Sequence, residues 1–534
     1  MFKKILIANR GEIAVRIMRA CREMNIATVA VYSDADRAAL HTRVADEAIH
    51  IGASPPRESY LNIGKIIGAA KKTNADAIHP GYGFLAENAE FAQAVNDAGI
   101  VFIGPSPFSI RAMGDKAEAR ARMIQSGVPV VPGFQDADDD AALENAAREI
   151  GYPVLIKAAA GGGGKAMRAV NGARDFSEAL GAARREAINA FGDARVILEK
   201  YVENARHIEF QILADKFGNT IHLFERECSI QRRHQKIIEE TPSPLLDDDL
   251  RERMGNAAVA AARAVNYENA GTIEFIVNPD TREFYFLEMN TRLQVEHPIT
   301  EITTGLDLVQ WQIRVASGEE LTGLGGRGLG DREQGTVSSN QLPVCSLQSP
   351  VSIYQRGHAI ECRIYAEDPS NNFLPSTGRL LDLQLPNMPG VRADSGIATG
   401  DEVSAFYDPL LVKLVAHAET RDAAIAKMEN ALREFCLLGV TTNVEFLQAV
   451  LAHPTFRAGE ATTRFIEQEM RDWGSEKQET RNESRKTRNE NALIAAGLAE
   501  VPEKKVTSVE VSGENDPYSP WRTNGAFRVG ATEL

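Results

Sequence analysis

The residues most able to do chemistry are carboxylates and an amide spaced to bind a hard cation. In the strand-like stretch 283–290, a period of two puts Phe284, Phe286, Glu288 and Asn290 on one face, with Tyr285, Leu287 and Met289 on the other. The preceding strand-like segment sets Thr272, Glu274 and Ile276 on a shared face. If the two strands are neighbours, Glu274, Glu288 and Asn290 face one cavity as oxygen ligands. Such a set suits Mg2+ (or Mn2+) on phosphates and does not suit zinc, which takes His or Cys. Any one of these carboxylates could equally be a polar group on the wet face of a sheet. The run Arg292-Leu293-Gln294-Val295-Glu296 directly after them favours a site.

Two further clusters point to anions. The run Gly161, Gly162, Gly163, Gly164 lies between two strand-like segments, where backbone N–H groups without Cβ atoms in the way can approach phosphate oxygens. No Ser or Thr follows Lys165, so this is not a P-loop, and a plain flexible turn is the alternative. Lys116 and Lys157 near such a loop suit a triphosphate. The alternating segment His207-Ile208-Glu209-Phe210-Gln211 carries His207 and Glu209 on its polar face. It is followed by Gln231, Arg232, Arg233, His234 and Lys236, a cationic cluster that is either an anion site or a solvated basic loop.

The elements that must position these groups follow from periodicity. Strands over residues 4–8, 28–32, 77–79 and 100–103 alternate with helical stretches, the first burying Ile13, Ile17 and Ala20, which predicts a parallel α/β domain over about residues 1–115. Ligands of such sheets lie at the carboxyl ends of the strands, so His79–Asn88, with Tyr82, is read as a site-lining loop. Residues 150–202 form a small unit with strands at 153–157, 166–170 and 196–200 and a helix at about 174–189. From 205 to 320 the alternation predicts half-buried antiparallel strands. A glycine-rich passage, 323–335, precedes a mixed α+β region opening at 359 and ending near Met470. Residues 475–491 turn abruptly polar, as a linker or a solvated helix.

Composition bounds the alternatives. A chain of 534 residues predicts several domains, and 25% charged with 43% hydrophobic residues is a globular balance. The net charge of -15 argues against nucleic-acid or anionic-membrane binding, and no apolar run is long enough to span a bilayer. Five dispersed cysteines form neither a zinc nor a disulfide framework, which suits reduced thiols. The first strand starts almost at Met1, so a cytoplasmic protein without a leader is expected, with a processed organellar protein as the alternative.

Taken in order, MGDK (113–116), IKAAAGGGGK (156–165), EKYVENARHIEFQ (199–211), ERECSIQRRHQKIIEE (225–240), GTIEF (271–275), FLEMNTRLQVEH (286–297) and GHAIECRIYAEDP (357–369) resemble the biotin carboxylases of the ATP-grasp superfamily. The opening ILIANRGEIAVRI (5–17) and HPGYGFLAEN (79–88) belong to the same pattern, which covers roughly residues 1–468. The resemblance implies an N-terminal α/β domain (1–115), an ATP-grasp domain (116–320) with a mobile lid at about 131–203, an inserted or connecting segment (321–358), a C-terminal α+β domain (359–470) and a charged linker with a docking tail (471–534). It implies that Lys116, Lys157, Met167 and the glycine loop hold ATP, with Glu199, Tyr201 and Val202 at the adenine, His207 at the ribose, and Gln231 and His234 bordering the nucleotide. Glu274, Glu288 and Asn290 would hold the metal. Lys236, Arg292, Gln294, Val295 and Glu296 would bind bicarbonate, with Glu296 as base, and Arg363 and Tyr82 would meet biotin. The implied catalytic set is Glu296, Arg292, Lys236 and Arg363.

The sequence departs from the family pattern at Ala166, where a glycine is usual, and in the stretches 323–335 and 340–352, which look inserted. No Ala-Met-Lys-Met tetrapeptide occurs, and the one Lys-Met pair is Lys427-Met428. Biotin is therefore expected on a separate biotin carboxyl carrier protein, with carboxyltransferase subunits as further partners in a homodimer or larger complex. The tail 516–530 is similar to the start of a docking segment in acyl-CoA carboxylase α chains, which favours an acetyl-, propionyl- or methylcrotonyl-CoA carboxylase over a pyruvate carboxylase. A non-catalytic scaffold for the carrier and another ATP-grasp ligase, such as half of a carbamoyl phosphate synthetase, are the competing readings.

Overall fold

Lys4–Ile7 lies at the middle of a five-stranded parallel sheet, in the order Glu47–Gly52, Ala27–Ser33, Lys4–Ile7, Ala77–His79, Val101–Phe102. The description comes from a computed structural model and covers residues 1–473 except 135–138, 160–166, 234, 322–323, 326–350 and 472. The expectations for the glycine run 161–164 with Ala166, for His234, for most of the segment 321–358, and for the charged stretch and tail beyond 474 lie outside the described residues. Four of the five strands sit where periodicity puts them. The strand Glu47–Gly52 was not expected, because it is an edge strand whose exposed Glu47, Ala48 and His50 leave no apolar alternation to read.

Helix Gly11–Glu23 buries Ile13, Ile17 and Ala20 as their spacing requires, and Glu12 and Arg16 with them. Just before it, Asn9 Nδ2 donates to Pro80 O at 2.7 Å and to Tyr82 O at 2.8 Å, tying together the carboxyl ends of two neighbouring strands. Gly81 has φ +64°, and a Cβ there would lie 2.8 Å from Asn9 Nδ2, so only glycine fits this turn.

Gly133–Phe134, Val196–Lys200, Val154–Ala158 and Met167–Val170 form a four-stranded sheet in that order, backed by helices Asp140–Ile150 and Ala173–Phe191. Leu143, Ala147, Ile156, Phe176, Leu180 and Leu198 give it a core of its own, which a unit that moves as a body needs.

The largest sheet has eight strands, in the order Phe284–Asn290, Asn269–Val277, Arg206–Ala214, Thr220–Arg232, Gln235–Thr241, His358–Tyr365, Leu410–Ala418, Val391–Ser395. Every pairing within it is antiparallel. One face carries Ile208, Phe210, Ile273 and Phe275 against helix Asp248–Arg263. The other face carries Glu209, Gln211, Arg226 and Thr272, which are as buried as the first, so the expectation of half-buried strands is corrected. Helix His297–Thr304 covers this polar face, and ion pairs take the place of water.

Two bulges alter the parity read from the sequence. Glu274 is opposite Glu288 and Phe275 opposite Phe286, which leaves Leu287 extra. Phe284 and Phe286 therefore pack with Phe275 and Val277 on the apolar face and do not share the face of Glu288 and Asn290. Similarly, Ile230 pairs with Ile238 and Gln231 with Lys236, leaving Ile237 extra and turning Lys236 and Glu239 to the same face.

Candidate active site

A cleft of about 740 Å³ opens along the polar face of the eight-stranded sheet. Its walls bring together the expected Lys116, Lys157, Met167, Glu199, Tyr201, Val202, His207 and Gln231 at one end. Glu274, Glu288, Asn290, Lys236, Arg292, Gln294, Val295, Glu296 and Arg363 complete the lining. Tyr82 is not brought to it. That ring packs against an apolar cluster shared by Ile13 and Ile17 with Leu213, Ile221 and Leu293, with its hydroxyl buried and unpartnered. Of the basic run, Lys236 enters the cleft deeply, whereas Arg232 turns to Glu367 at 3.1 Å and stacks over Phe373.

Glu296 is the centre of charge. Its Oε1 accepts from Lys236 at 2.7 Å and its Oε2 from Arg363 at 2.9 Å. Burial alone would push this carboxyl up, but Lys236, Arg363 and Arg226 outweigh it and hold it well below the usual carboxylate range. Lys236 Nζ also donates to Glu209 at 2.5 Å and to Glu274 at 2.8 Å. Beneath it, Arg226 is fully buried and spends every N–H: Nε on Glu209 (2.6 Å), Nη1 on Gln211 (2.7 Å) and Thr300 (3.0 Å), Nη2 on Thr272 (3.1 Å) and Gln294 (2.8 Å). Gln294 passes the link on to Glu274 at 2.9 Å. The bicarbonate-assigned loop is thus anchored by the Arg226 guanidinium at Gln294 and by Lys413 Nζ, which donates to Val295 O at 3.0 Å.

At the nucleotide-assigned end, Lys157 pairs with Glu199, which also lies 3.6 Å from Arg120. Burial lowers the Lys116 amine, with Glu288 opposing and Lys157 adding to the shift. The Glu288 carboxyl is pushed up by burial and by Glu274 facing it, against the pull of Lys116. A divalent cation between these two carboxylates fits that donor set. The third expected ligand, Asn290, donates from Nδ2 to Glu274 at 2.9 Å, while its Oδ1 accepts from Arg292 at 2.8 Å. A cation here would share that oxygen with the guanidinium. Among the described residues, the sets of three whose ligand atoms already converge are His207, Glu209 and Glu274, and Glu209, Cys228 and Glu296.

Sequence reasoning missed three contributors, Glu87, Arg226 and Glu239, and gave no role to Glu209, which it had placed on the polar face of its strand. Glu87, in the His79–Asn88 loop, accepts from Arg292 Nε at 2.9 Å and Thr291 N at 3.1 Å, clamping the loop after Asn290 to the N-terminal domain. Glu209, Arg226 and Glu239 complete the set. The alternation at His207–Gln211 signals Glu209 directly, while Arg226 and Glu239 need the strand register to be known.

Comparisons with known proteins now bear on this geometry. Residues 1–110 match the family model for the biotin carboxylase N-terminal domain, and residues 361–468 match the one for the biotin carboxylase C-terminal domain. Residues 115–324 match the ATP-binding domain of the carbamoyl-phosphate synthase L chain. Biotin carboxylase 1 of Bacillus subtilis is 50% identical over 471 residues, 88% of this chain and 98% of that protein. The chain belongs to the biotin carboxylase family. Such proteins are ATP-dependent carboxylating ligases, and the match at 361–468 separates this biotin carboxylase from half of a carbamoyl phosphate synthetase. The methylcrotonoyl-CoA carboxylase α subunit of Oryza sativa is 48% identical over 529 residues, 99% of this chain and 68% of that subunit. A crystal structure of a biotin carboxylase–nucleotide complex from Campylobacter jejuni superposes with a TM-score of 0.80 at 45% identity, covering 88% of this chain and 99% of that one.

Proposed function

We propose that this biotin carboxylase uses ATP and bicarbonate to carboxylate biotin presented by a carrier from outside these residues, as part of an acyl-CoA carboxylase. The observation that carries the reading is Glu296, a buried carboxylate kept ionised with Lys236 on one oxygen and Arg363 on the other. It stands ready to take a proton, between two cations that can transfer to an incoming anion.

The roles then follow along the cleft. Lys116, Lys157 and Met167, with the 161–164 loop, hold the nucleotide phosphates, and Glu199 keeps Lys157 in place. Tyr201 and Val202 border the adenine, His207 the ribose, with Gln231 beside them. Glu274, Glu288 and Asn290 would hold Mg2+, which when bound neutralises charge on the transferring phosphoryl group. Lys236, Arg292, Gln294 and the Val295 backbone bind bicarbonate, and these cations lower the affinity of bicarbonate for its proton. Glu296 takes that proton, a bicarbonate oxygen forms a bond to the γ-phosphorus, and ADP leaves. The carboxyphosphate so made breaks into CO2 and phosphate under the closed lid, where water is scarce. Phosphate takes the N1′ proton of biotin, Arg363 stabilises the negative ureido oxygen, and N1′ bonds to CO2.

Alignment with methylcrotonoyl-CoA carboxylase α subunits over 529 residues supports an acyl-CoA, with methylcrotonyl-CoA ahead of acetyl- or propionyl-CoA, rather than pyruvate. A partner carboxyltransferase would make that choice, in a homodimer or larger complex. No Ala-Met-Lys-Met site lies within these residues, so the biotin on which they act is carried by a segment outside them. Among the described residues, no helix is long and apolar enough to cross a membrane. The cytoplasm is the proposed compartment, although the Oryza relative is named mitochondrial.

The test is ATP hydrolysis by the purified chain. The rate depends on bicarbonate and rises when free biotin is added. A well-folded preparation that hydrolyses ATP with no response to biotin would favour the scaffold or another ligase reading.

A further inference from the structure

A second carboxylate reaches the site and has no part in the chemistry above. The bulge at Ile237 turns Glu239 to the face of Lys236. Glu239 Oε1 accepts from Arg363 Nε at 2.6 Å and also from Nη2, which it shares with Glu296. Its Oε2 is buried with no partner. Directly opposite, in register on the next strand, stands Glu361, fully buried with neither oxygen partnered. Two buried carboxylates facing each other across a strand pair cannot both ionise cheaply.

The surroundings decide which of the two holds a proton. Burial pushes Glu361 far above the usual range, with Lys413 pulling against it and Glu239 adding to it. Burial lifts Glu239 to about 7, against the pull of Arg363 and with Glu296 adding to the rise. Lys236 on the same strand lowers it further, and Cys228 on the neighbouring strand stays a neutral thiol. On the covering helix, Glu301 is engaged by Arg16 and Arg392, each at 2.8 Å, and His297 lies 3.9 Å from Glu301. The proton therefore rests on Glu361, and Glu239 keeps the charge that grips the guanidinium.

We propose that Glu239 is a positioning residue for Arg363, holding Nε and Nη2 so that the guanidinium, which also reaches Glu296, is fixed in the orientation that meets biotin. This rests on Arg363 facing biotin, as proposed above. Neutralising Glu239 removes a charge-assisted hydrogen bond from the guanidinium, an effect on the order of tenfold or more.

The experiment compares wild type, E239Q and R363Q with free biotin across pH, alongside biotin-independent ATP cleavage. In wild type, the biotin KM rises as pH falls through about 7, because protonating Glu239 loosens Arg363. E239Q raises the biotin KM roughly tenfold at neutral pH, loses that limb of the pH profile, and lowers biotin carboxylation far more than ATP cleavage. Equal losses in both reactions, or an unchanged biotin KM with the limb intact, would overturn the proposal. R363Q separates the two levels. If R363Q leaves the biotin KM unchanged, the biotin role of Arg363 fails and the positioning role goes with it. If R363Q raises the KM and E239Q does not, the positioning role alone fails.

Discussion

Glu296→Gln lowers biotin-dependent turnover by about 10²–10⁴-fold while leaving ATP affinity close to wild type, the range expected for loss of a general base. The amide keeps the size of the side chain but cannot take a proton at neutral pH. It also turns one of the two anionic oxygens that Lys236 and Arg363 now meet at 2.7 and 2.9 Å into an NH2 group and leaves the other as a neutral carbonyl. One cation loses its partner and the other keeps a weaker one, so the anion-binding geometry suffers together with the proton transfer. The nucleotide end, built on Lys116, Lys157 and Glu199, does not touch Glu296 through any of these bonds. Steady-state kinetics with a calorimetric ATP titration measures both halves. Turnover within tenfold of wild type would exclude Glu296 as the base.

The second large effect concerns stability. Arg226→Met costs about 3–5 kcal/mol, because it leaves buried Glu209 without its guanidinium and strands Gln211, Thr272 and Thr300. Neutral hydrogen bonds of the same number would cost less, since a desolvated charge is the expensive part. Adding Glu209→Gln to the variant should recover part of the loss. A urea titration reads both as shifts of the midpoint. A loss below about 1 kcal/mol would mean that water enters and satisfies Glu209, contrary to a site sealed by helix His297–Thr304.

Much of this site was legible in the residues. The strand Val196–Lys200 and the turning of Glu274, Glu288 and Asn290 towards one cavity follow from periodicity, whereas the register that sets Glu274 opposite Glu288 does not. The parity of Phe284 and Phe286 did not, because one extra residue, Leu287, reverses faces within a strand. Glu239 was hidden the same way by Ile237. Arg226 was hidden for another reason. In sequence it stands between Glu225 and Glu227, ahead of the cationic cluster 231–236, and only the pairing of Arg226 with Glu209 across two long strands shows it lying under the site. Tyr82 was carried over by likeness of motif, and its ring packs in an apolar cluster that joins the N-terminal helix Gly11–Glu23 to the large sheet. Alternation reports which residues share a face; it does not report whether a second layer buries that face.

The most direct measurement is transfer of labelled carbon from bicarbonate to free biotin. The account predicts ATP-dependent formation of acid-labile carboxybiotin, absent without Mg2+ and lost in Glu296→Gln. ATP cleavage at a normal rate with no label on biotin would contradict it.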